Sequence, residues 1–267
     1  MSDRTKKYIE ELNEGVKALF TSKKWKDYLT FLSRFHAYSV NNTIAIYTQR
    51  PDASLVASMS TWNKLGRFIR KGERGIKIIS PHDFTVSNPN TGKEEKRLGF
   101  HMSHCFDVSQ TEGKDLPESP CRKLTADVNN YDQLRDALCA ISPVPVVYCS
   151  FDSKANGYFS AEAGEIVVQD NLSQAQSVQT TLHELAHALL HAKGAEGEKT
   201  DRRTREVQAE CVAYTVCQYL GIDSKNYSFG YIAGWSKNKT LDELKASIEV
   251  IARTSDRIIK GLEELIQ

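Results

Sequence analysis

The feature that most constrains this chain is the pentapeptide His183-Glu184-Leu185-Ala186-His187, which lies inside an apolar segment with helical spacing. Leucine or alanine recurs at positions 182, 185, 186, 189 and 190, so residues 180–190 are predicted to form a helix. On a helix, the two histidines lie one turn apart and project from the same face. Two such imidazoles can bind one Zn²⁺ at about 2.0–2.1 Å, and Glu184, which is rotated away, can contact a water on the metal.

A third protein ligand is expected from the next predicted helix, near residues 201–220, which carries Glu206 and Glu210 one turn apart. The intervening loop is long enough to return the chain antiparallel to the first helix. Glu206 is the preferred ligand, because the first acid of such a pair is the ligand in the gluzincin-like enzymes that this arrangement resembles. Glu210 is the alternative ligand, or else it orients a ligand imidazole. His191 continues the histidine face and either supports the site or is an ordinary histidine near a helix end.

This constellation favours the hydrolysis of peptide bonds with one Zn²⁺ per chain. The metal would polarise a water, Glu184 would take its proton, and the resulting hydroxide would attack a carbonyl. The stretch Glu165 to Gln169 is predicted to be a sheet edge on which an extended peptide substrate could pair. A metal-binding but catalytically idle domain is the alternative, whereas a nuclease is disfavoured because no carboxylate-rich two-metal site is apparent.

Charge is unevenly distributed along the chain, although the formal net charge is only +1. Residues 1–104 carry 18 Lys and Arg against 10 Asp and Glu, a net charge of +8, and the remainder carries −7. A basic half is typical of a protein that binds a polyanion, nucleic acid first. Residues 60–80 interleave Trp62 and Phe68 with six cations, a pattern typical of single-strand binding through phosphates and stacked bases. The alternative is a solvated basic face with its aromatic rings in the core.

The pattern of elements predicts an α+β protein of two domains joined by a polar, turn-rich linker at 116–130. Residues 1–115 predict helices followed by a small antiparallel sheet. Residues 131–267 predict a small sheet, the helix with the two histidines and C-terminal helices, the last with Thr240 and Glu243 in capping-box register. No apolar run approaches the roughly 18 residues of a membrane span, and no signal peptide is visible, so a cytoplasmic protein without membrane contact is expected.

Several segments of the chain also resemble a known family. In the N-terminal half these are Phe35 to Asn42, Gln49 to Ala53, Trp62 to Arg67, Arg70 to Ile76 and Phe106 to Thr111. They resemble the N-terminal single-stranded-DNA-binding domain of ArdC-type antirestriction proteins. The HExxH segment, with Glu206-x-x-Ala209-Glu210, is similar to the zincin-like domain of the same proteins and of ImmA/IrrE-type metallopeptidases.

The resemblance implies a protein of mobile genetic elements, linked to conjugation, that helps incoming DNA escape host restriction. It implies single-stranded DNA and a protein substrate as partners, zinc as cofactor, and a metallopeptidase activity. The non-enzymatic alternative is a DNA-binding antirestriction protein whose metal is structural or vestigial. The DNA contacts carried over by motif are Tyr38, Asn42, Trp62, Lys64, Arg67, Lys71 and Lys77, of which Tyr38 and Trp62 could instead support the fold.

Overall fold

The computed structural model describes residues 3–87, 94–116, 131–195, 197–222, 227 and 229–266. The predicted linker at 116–130 lies outside these ranges except for its first residue. The elements up to residue 116 are α1 (Asp3–Leu19), α2 (Ser22–Arg34), α3 (Val40–Gln49), β1 (Val56–Ala57), α4 (Met59–Lys64), β2 (Arg67–Ile69), β3 (Ile76–Ser87), β4 (Glu94–Asp107), a 3₁₀ turn (Val108–Gln110) and β5 (Thr111–Gly113).

The second half of the chain is richer in helix, and its described strands are short and form one sheet. Its elements are α5 (Tyr131–Ile141), β6 (Val146–Tyr148), β7 (Gly157–Ser160), β8 (Glu165–Val168), α6 (Gln174–His191), α7 (Arg202–Tyr219), α8 (Ile232–Ser236) and α9 (Leu241–Leu265). The α+β class predicted from the sequence is confirmed, as are small sheets in both halves. None of the described helices is both long enough and apolar enough to cross a bilayer.

The chain packs as two compact units that are not contiguous in sequence. The N-terminal unit comprises Met1–Leu19 and Tyr38–Leu116, and the C-terminal unit comprises Phe20–Ala37 and Pro117–Gln267. Residues 20–37, which carry α2, therefore belong by packing to the C-terminal unit, whereas the division predicted from the sequence places them in the first domain. The apolar stripe of α2 explains this packing, because Trp25, Tyr28 and Leu29 are completely buried.

The N-terminal unit is organised around two antiparallel sheets. One has the strand order β1-β4-β3, with β3 and β4 forming a long hairpin, and the other pairs β2 with β5. Helix α3 lies along the free edge of β3 and covers it with amide side chains. Asn42 bonds both backbone groups of Ile79, and Gln49 bonds both backbone groups of Lys77. These bonds satisfy strand groups that a β-strand neighbour would otherwise take.

The C-terminal unit is built around α7, which is buried on almost every side from Val207 to Cys217. It packs against α6, α9 and α2, so its largely uncharged sequence there agrees with a helix in the middle of a core. From α2, the Trp25 indole donates to Cys211 Sγ at 3.2 Å. At the start of α9, the predicted capping box of Thr240 and Glu243 is confirmed.

The sheet of the C-terminal unit has the order β6-β8-β7, with β6 parallel and β7 antiparallel to the central β8. The prediction that Glu165 to Gln169 forms a sheet edge is wrong, because this stretch is the central strand. Strand β6 runs parallel to β8 and pairs with the edge of β8 that was predicted to be free. Among the described strands, the outer positions belong to β6 and β7.

Candidate functional site

Helix α6 supplies the two histidines of the predicted metal site. The helix begins after Ser173, whose side chain accepts a hydrogen bond from the Gln176 backbone amide, and it continues without interruption to His191. Along this helix His183 and His187 are one turn apart, and their Nε2 atoms lie 3.1 Å from each other. Two nitrogens bound to one tetrahedral zinc at about 2.0–2.1 Å are roughly 3.3 Å apart, so the separation suits a shared ion.

Helix α7 brings Glu206 to the same point. Its Oε2 atom lies 3.5 Å from His183 Nε2 and 3.6 Å from His187 Nε2. The three ligand atoms all lie within 4.8 Å of one another, and they form the one such group of potential ligands among the described residues. Two imidazole nitrogens and one carboxylate oxygen are a donor set that zinc accepts, with room for a further ligand. The residues therefore fit the metal that the sequence predicts.

The electrostatics of this cluster are dominated by its carboxylates. Hydrogen bonds from His183 and then His187 hold the pKa of Glu206 well below its usual range. Burial alone would lower the pKa of His183, but the hydrogen bond to Glu206 and the charge of Glu184 outweigh it and raise that pKa. An ionised carboxylate facing two imidazoles makes a local negative site, which favours a cation.

Glu184 lies beside the cluster under strand β7. Its side chain is only 8% exposed, and burial raises its pKa, while the charges of His183 and His187 act in the opposite direction. Gly157 of β7 allows the strand to lie this close to α6. A Cβ at that position would be 2.6 Å from Thr180 Cγ2 and 2.8 Å from the Val167 carbonyl oxygen, so a larger residue would push the strand away from α6.

Glu210 occupies a different environment from Glu206, although it lies only one turn further along α7. Its carboxylate accepts a hydrogen bond from the Tyr231 hydroxyl. Burial raises the pKa of Glu210, and burial together with the neighbouring carboxylate raises that of Tyr231 as well. The structure thus brings Glu206 to the two imidazoles and Glu210 to a tyrosine that the sequence did not select as its partner.

His191 lies behind the cluster, one turn beyond His187. Its Nδ1 atom is 3.0 Å from His187 Nδ1, and its Nε2 atom is 3.0 Å from Gln208 Oε1. The ring is buried, and burial lowers the pKa of His191 to about 4. Gln208 is a neighbour that sequence reasoning missed, because its position on α7 is not in register with Glu206 and Glu210.

Four of the seven residues predicted to contact DNA are tied into the N-terminal unit. The Trp62 ring is completely buried and its indole donates to the Phe106 carbonyl at 2.8 Å, while the Tyr38 hydroxyl donates to the Val56 carbonyl at 2.7 Å. The Asn42 side chain is hydrogen-bonded to the edge of β3, as described above. Arg67 donates from Nε to Thr111 Oγ1 at 2.8 Å and from its guanidinium to the Lys114 carbonyl.

The three remaining predicted DNA contacts, Lys64, Lys71 and Lys77, are exposed. Between the first two lies Phe68, whose side chain is 58% exposed on strand β2. Neighbouring Arg67 and Ile69 face the other side of this strand, in agreement with the alternation of a β-strand. That alternation was the signal that could have selected Phe68, in place of Trp62, as the solvent-facing aromatic residue. We call Lys64, Phe68, Lys71 and Lys77 the basic face.

Comparison with known proteins gives two domain matches that follow each other along the chain. Residues 1–110 match the model for the N-terminal domain of anti-restriction factor ArdC, and residues 139–219 match the IrrE N-terminal-like domain of the M78 peptidases. An uncharacterized protein of Bacillus anthracis, pXO2-81, is 25% identical across all of this chain. The chain spans 52% of the length of that relative.

Two solved structures share the fold. The metal-free crystal structure of the antirestriction protein ArdC from plasmid R388 superposes with a TM-score of 0.56 at 20% identity. The Mn(II)-bound structure of the same protein gives a TM-score of 0.51 at 18% identity. Each superposition covers 86% of this chain and 85% of the other.

Proposed function

We propose that this chain, which belongs to the ArdC-type antirestriction proteins by its two matched domains and their order, binds single-stranded DNA with its N-terminal unit and hydrolyses peptide bonds with its C-terminal unit. The observation that carries the catalytic half is the convergence of His183, His187 and Glu206, with buried Glu184 beside them. The proposed setting is the cytoplasm of a cell that carries a mobile genetic element.

The residues that would hold a zinc ion are His183, His187 and Glu206. When bound, this ion supplies a Lewis acid that polarises a water molecule and a substrate carbonyl. Glu184 is the group that holds and moves the proton, taking it from the water and returning it to the leaving amine. Its burial raises its pKa above the usual range for a carboxyl group, which makes the carboxylate a stronger base than an exposed glutamate.

Strand β7 is the element best placed to orient a peptide substrate. It is an outer strand among those described, and it lies directly over Glu184 through the close approach at Gly157. An extended peptide that pairs with such a strand presents successive carbonyl groups at a fixed height above the helix. Tyr158 of β7 is 43% exposed and offers an aromatic surface for a substrate side chain.

The basic face supports the DNA-binding half of the proposal. Exposed lysine ammonium groups can follow successive phosphates, and the exposed ring of Phe68 can stack on a base of any identity. The combination favours sequence-tolerant binding of single strands, because bases in a duplex are already stacked on each other. The DNA-binding half of the proposal rests on the exposure and charge of the basic face, whereas the catalytic half rests on the distances between His183, His187 and Glu206.

The peptidase half is tested with a library of internally quenched fluorescent peptides and zinc-loaded protein. Cleavage is expected to stop after zinc is removed with a chelator and to return when Zn²⁺ is added back. Cleavage that persists in metal-free protein would contradict the proposed role of the metal. Stable zinc binding without cleavage of any peptide would instead favour the non-enzymatic alternative.

The DNA half is tested by titrating the protein with one labelled oligonucleotide in three forms: the single strand, its duplex and a neutral-backbone analogue. The single strand is expected to bind most tightly, with an affinity that falls steeply as the salt concentration rises. Equal affinity for the neutral analogue would refute a binding mode based on phosphates. Equal affinity for the duplex would refute the preference for stacked single-stranded bases.

A further inference from the structure

The side of the site away from the proposed metal contains a hydrogen-bonded chain that runs from α7 to α6. It links Gln208, His191 and His187 through two contacts of 3.0 Å each. We propose that Gln208 and His191 are positioning residues that fix the tautomer of His187 and so present an unprotonated Nε2 atom to the metal. This inference rests on the proposed function in one respect, the assignment of His187 as a ligand.

The direction of the chain follows from the chemistry of its end group. The Gln208 side-chain oxygen can only accept a hydrogen bond, so the Nε2 atom of His191 must carry the proton that it donates. A neutral imidazole has one donor and one acceptor, so the Nδ1 atom of His191 is then an acceptor. His187 must therefore donate from its own Nδ1 atom, which leaves the His187 Nε2 atom with a free lone pair.

That lone pair belongs to the atom that lies nearest the other two proposed ligands. His187 Nε2 is the atom that lies 3.1 Å from His183 Nε2 and 3.6 Å from the Glu206 carboxylate. If His187 adopted the opposite tautomer, this atom would carry a proton and could not bind a metal ion. The side-chain amide of Gln208 is hydrogen-bonded to His191 and, through His191, acts on His187. It therefore decides between the two tautomers of His187.

The surroundings hold both positioning residues in one orientation. The side chains of His191 and Gln208 are each 6% exposed. Gly197 closes over the His191 ring, and a Cβ at that position would lie 3.0 Å from His191 Cδ2 and 2.7 Å from the Leu190 carbonyl oxygen. The Gly197 backbone N–H donates a hydrogen bond to that same carbonyl oxygen, and this bond holds the loop over the ring. A ring that is buried and covered in this way cannot turn over without opening the loop.

A neutral partner behind a metal-binding histidine has a specific consequence. Ligand histidines are commonly oriented by a carboxylate or a backbone carbonyl. Here a second imidazole transmits the orientation from an amide, so no additional negative charge is placed behind the metal. Replacing Gln208 by leucine removes the acceptor and keeps a similar volume, whereas glutamate would add a negative charge beside His191.

The test compares Gln208→Leu with the wild type in the full-length protein, with Ser247→Ala as the matched control. Ser247 is also buried and lines the same cavity of about 510 Å³ as Gln208. Zinc affinity is measured by competition with a chromophoric chelator. Gln208→Leu is expected to weaken it by about 10- to 100-fold, the usual cost of losing a group that orients a ligand. Ser247→Ala is expected to stay near the wild-type value. Wild-type zinc affinity in Gln208→Leu would overturn the proposal.

A second measurement separates this inference from the proposed function. Imidazole nitrogen NMR of the metal-free protein reports which ring nitrogen of His187 carries the proton, and it needs no bound metal. The wild type and Ser247→Ala are expected to show protonated Nδ1, and Gln208→Leu a mixture of both tautomers. An unchanged His187 tautomer in a folded Gln208→Leu variant would refute the positioning role. A wild type with this tautomer that binds no zinc would refute the proposed metal site alone.

Discussion

The candidate metal site and the basic face differ in how their residues are held. At the candidate metal site, three side chains from α6 and α7 meet at one point; the spacing of His183 and His187 is set within α6, and their distances to Glu206 are set by the packing of α6 against α7. On the basic face, long lysine side chains project into solvent from several elements, and the exposed ring of Phe68 lies on β2. The spacing of residues along a helix can be read from the sequence, so the residues that share one helix face can be named individually. A surface of flexible cations is predictable only as a region.

The largest effect that sharpens this comparison is expected at Glu184. Replacing it with glutamine keeps the size of the side chain but removes the base, so peptide cleavage should fall by about 10²- to 10⁴-fold. Zinc content and single-strand DNA affinity should stay at wild-type values. Steady-state cleavage of the best peptide, with elemental analysis of the same sample, checks this. Undiminished cleavage by the variant would remove Glu184 from the mechanism.

The next largest effect concerns residues 20–37, which belong by packing to the C-terminal unit although the sequence placed them in the first domain. Trp25→Ala should lower the free energy of unfolding by about 3–5 kcal/mol, because it leaves a cavity between α2 and α7. Hydrogen-exchange mass spectrometry should show protection lost in α7, and not in the β3–β4 hairpin. Lys24→Ala, on an exposed position of the same helix, is the control. Loss of protection confined to the hairpin would place α2 energetically with the N-terminal unit.

A smaller effect distinguishes the two aromatic residues of the basic half. Phe68→Ala should weaken binding of single-stranded DNA by about 1–3 kcal/mol, the usual contribution of one stacked base. Trp62→Phe should leave the affinity unchanged, because that ring is buried and its loss of a hydrogen bond affects only stability. Fluorescence anisotropy titrations of both folded variants check this. A larger loss of affinity in Trp62→Phe would reverse the assignment of the face.

The lysines of the basic face should act through charge alone. Each of Lys64→Ala, Lys71→Ala and Lys77→Ala is expected to reduce the slope of log affinity against log salt by about 0.7. Glu112→Gln, at the position paired with Phe68, serves as the control and should not reduce this slope. Slopes that stay at the wild-type value in all three lysine variants would show that the phosphates lie elsewhere.

The smallest effect is a pH dependence at the start of α7. Asp201 caps this helix, and hydrogen bonds from Thr204 lower its pKa to about 2. The unfolded-state pKa of aspartate is about 3.9. The stabilisation is therefore complete above about pH 4 and is lost as the pH falls through about 2. Asp201→Ala should cost about 1 kcal/mol at neutral pH and much less at pH 2, as measured by denaturant unfolding. A cost that is the same at both pH values would contradict this account.

The contrast between the regions also explains what the sequence could predict. The helix around His183 and His187 and the capping box at Thr240 depend on local spacing, and each was predicted from it. The place of β8 within its sheet depends on which strand pairs from elsewhere in the chain, and it was predicted wrongly. Local patterns report the face of an element and carry little information about its neighbours.

The same limit applies to individual side chains. Asn42 and Gln49 bond the edge of β3, and Trp62 fills a core, because of contacts with residues far away in sequence. Gln208 contacts His191 only because α6 and α7 pack together. Glu206 and Glu210 lie one turn apart on α7, and spacing alone did not decide between them. Their different surroundings come from the packing of Tyr231, which lies outside both helices.

The central claim is that His183, His187 and Glu206 together hold one metal ion, and zinc content tests it most directly. Elemental analysis of purified wild type, Glu206→Ala and Glu210→Ala, each shown to be folded, compares the two acids of α7. The account predicts one zinc per chain in the wild type, almost none in Glu206→Ala, and one in Glu210→Ala. Full zinc content in Glu206→Ala together with its loss in Glu210→Ala, or a wild type that binds no zinc, would contradict it.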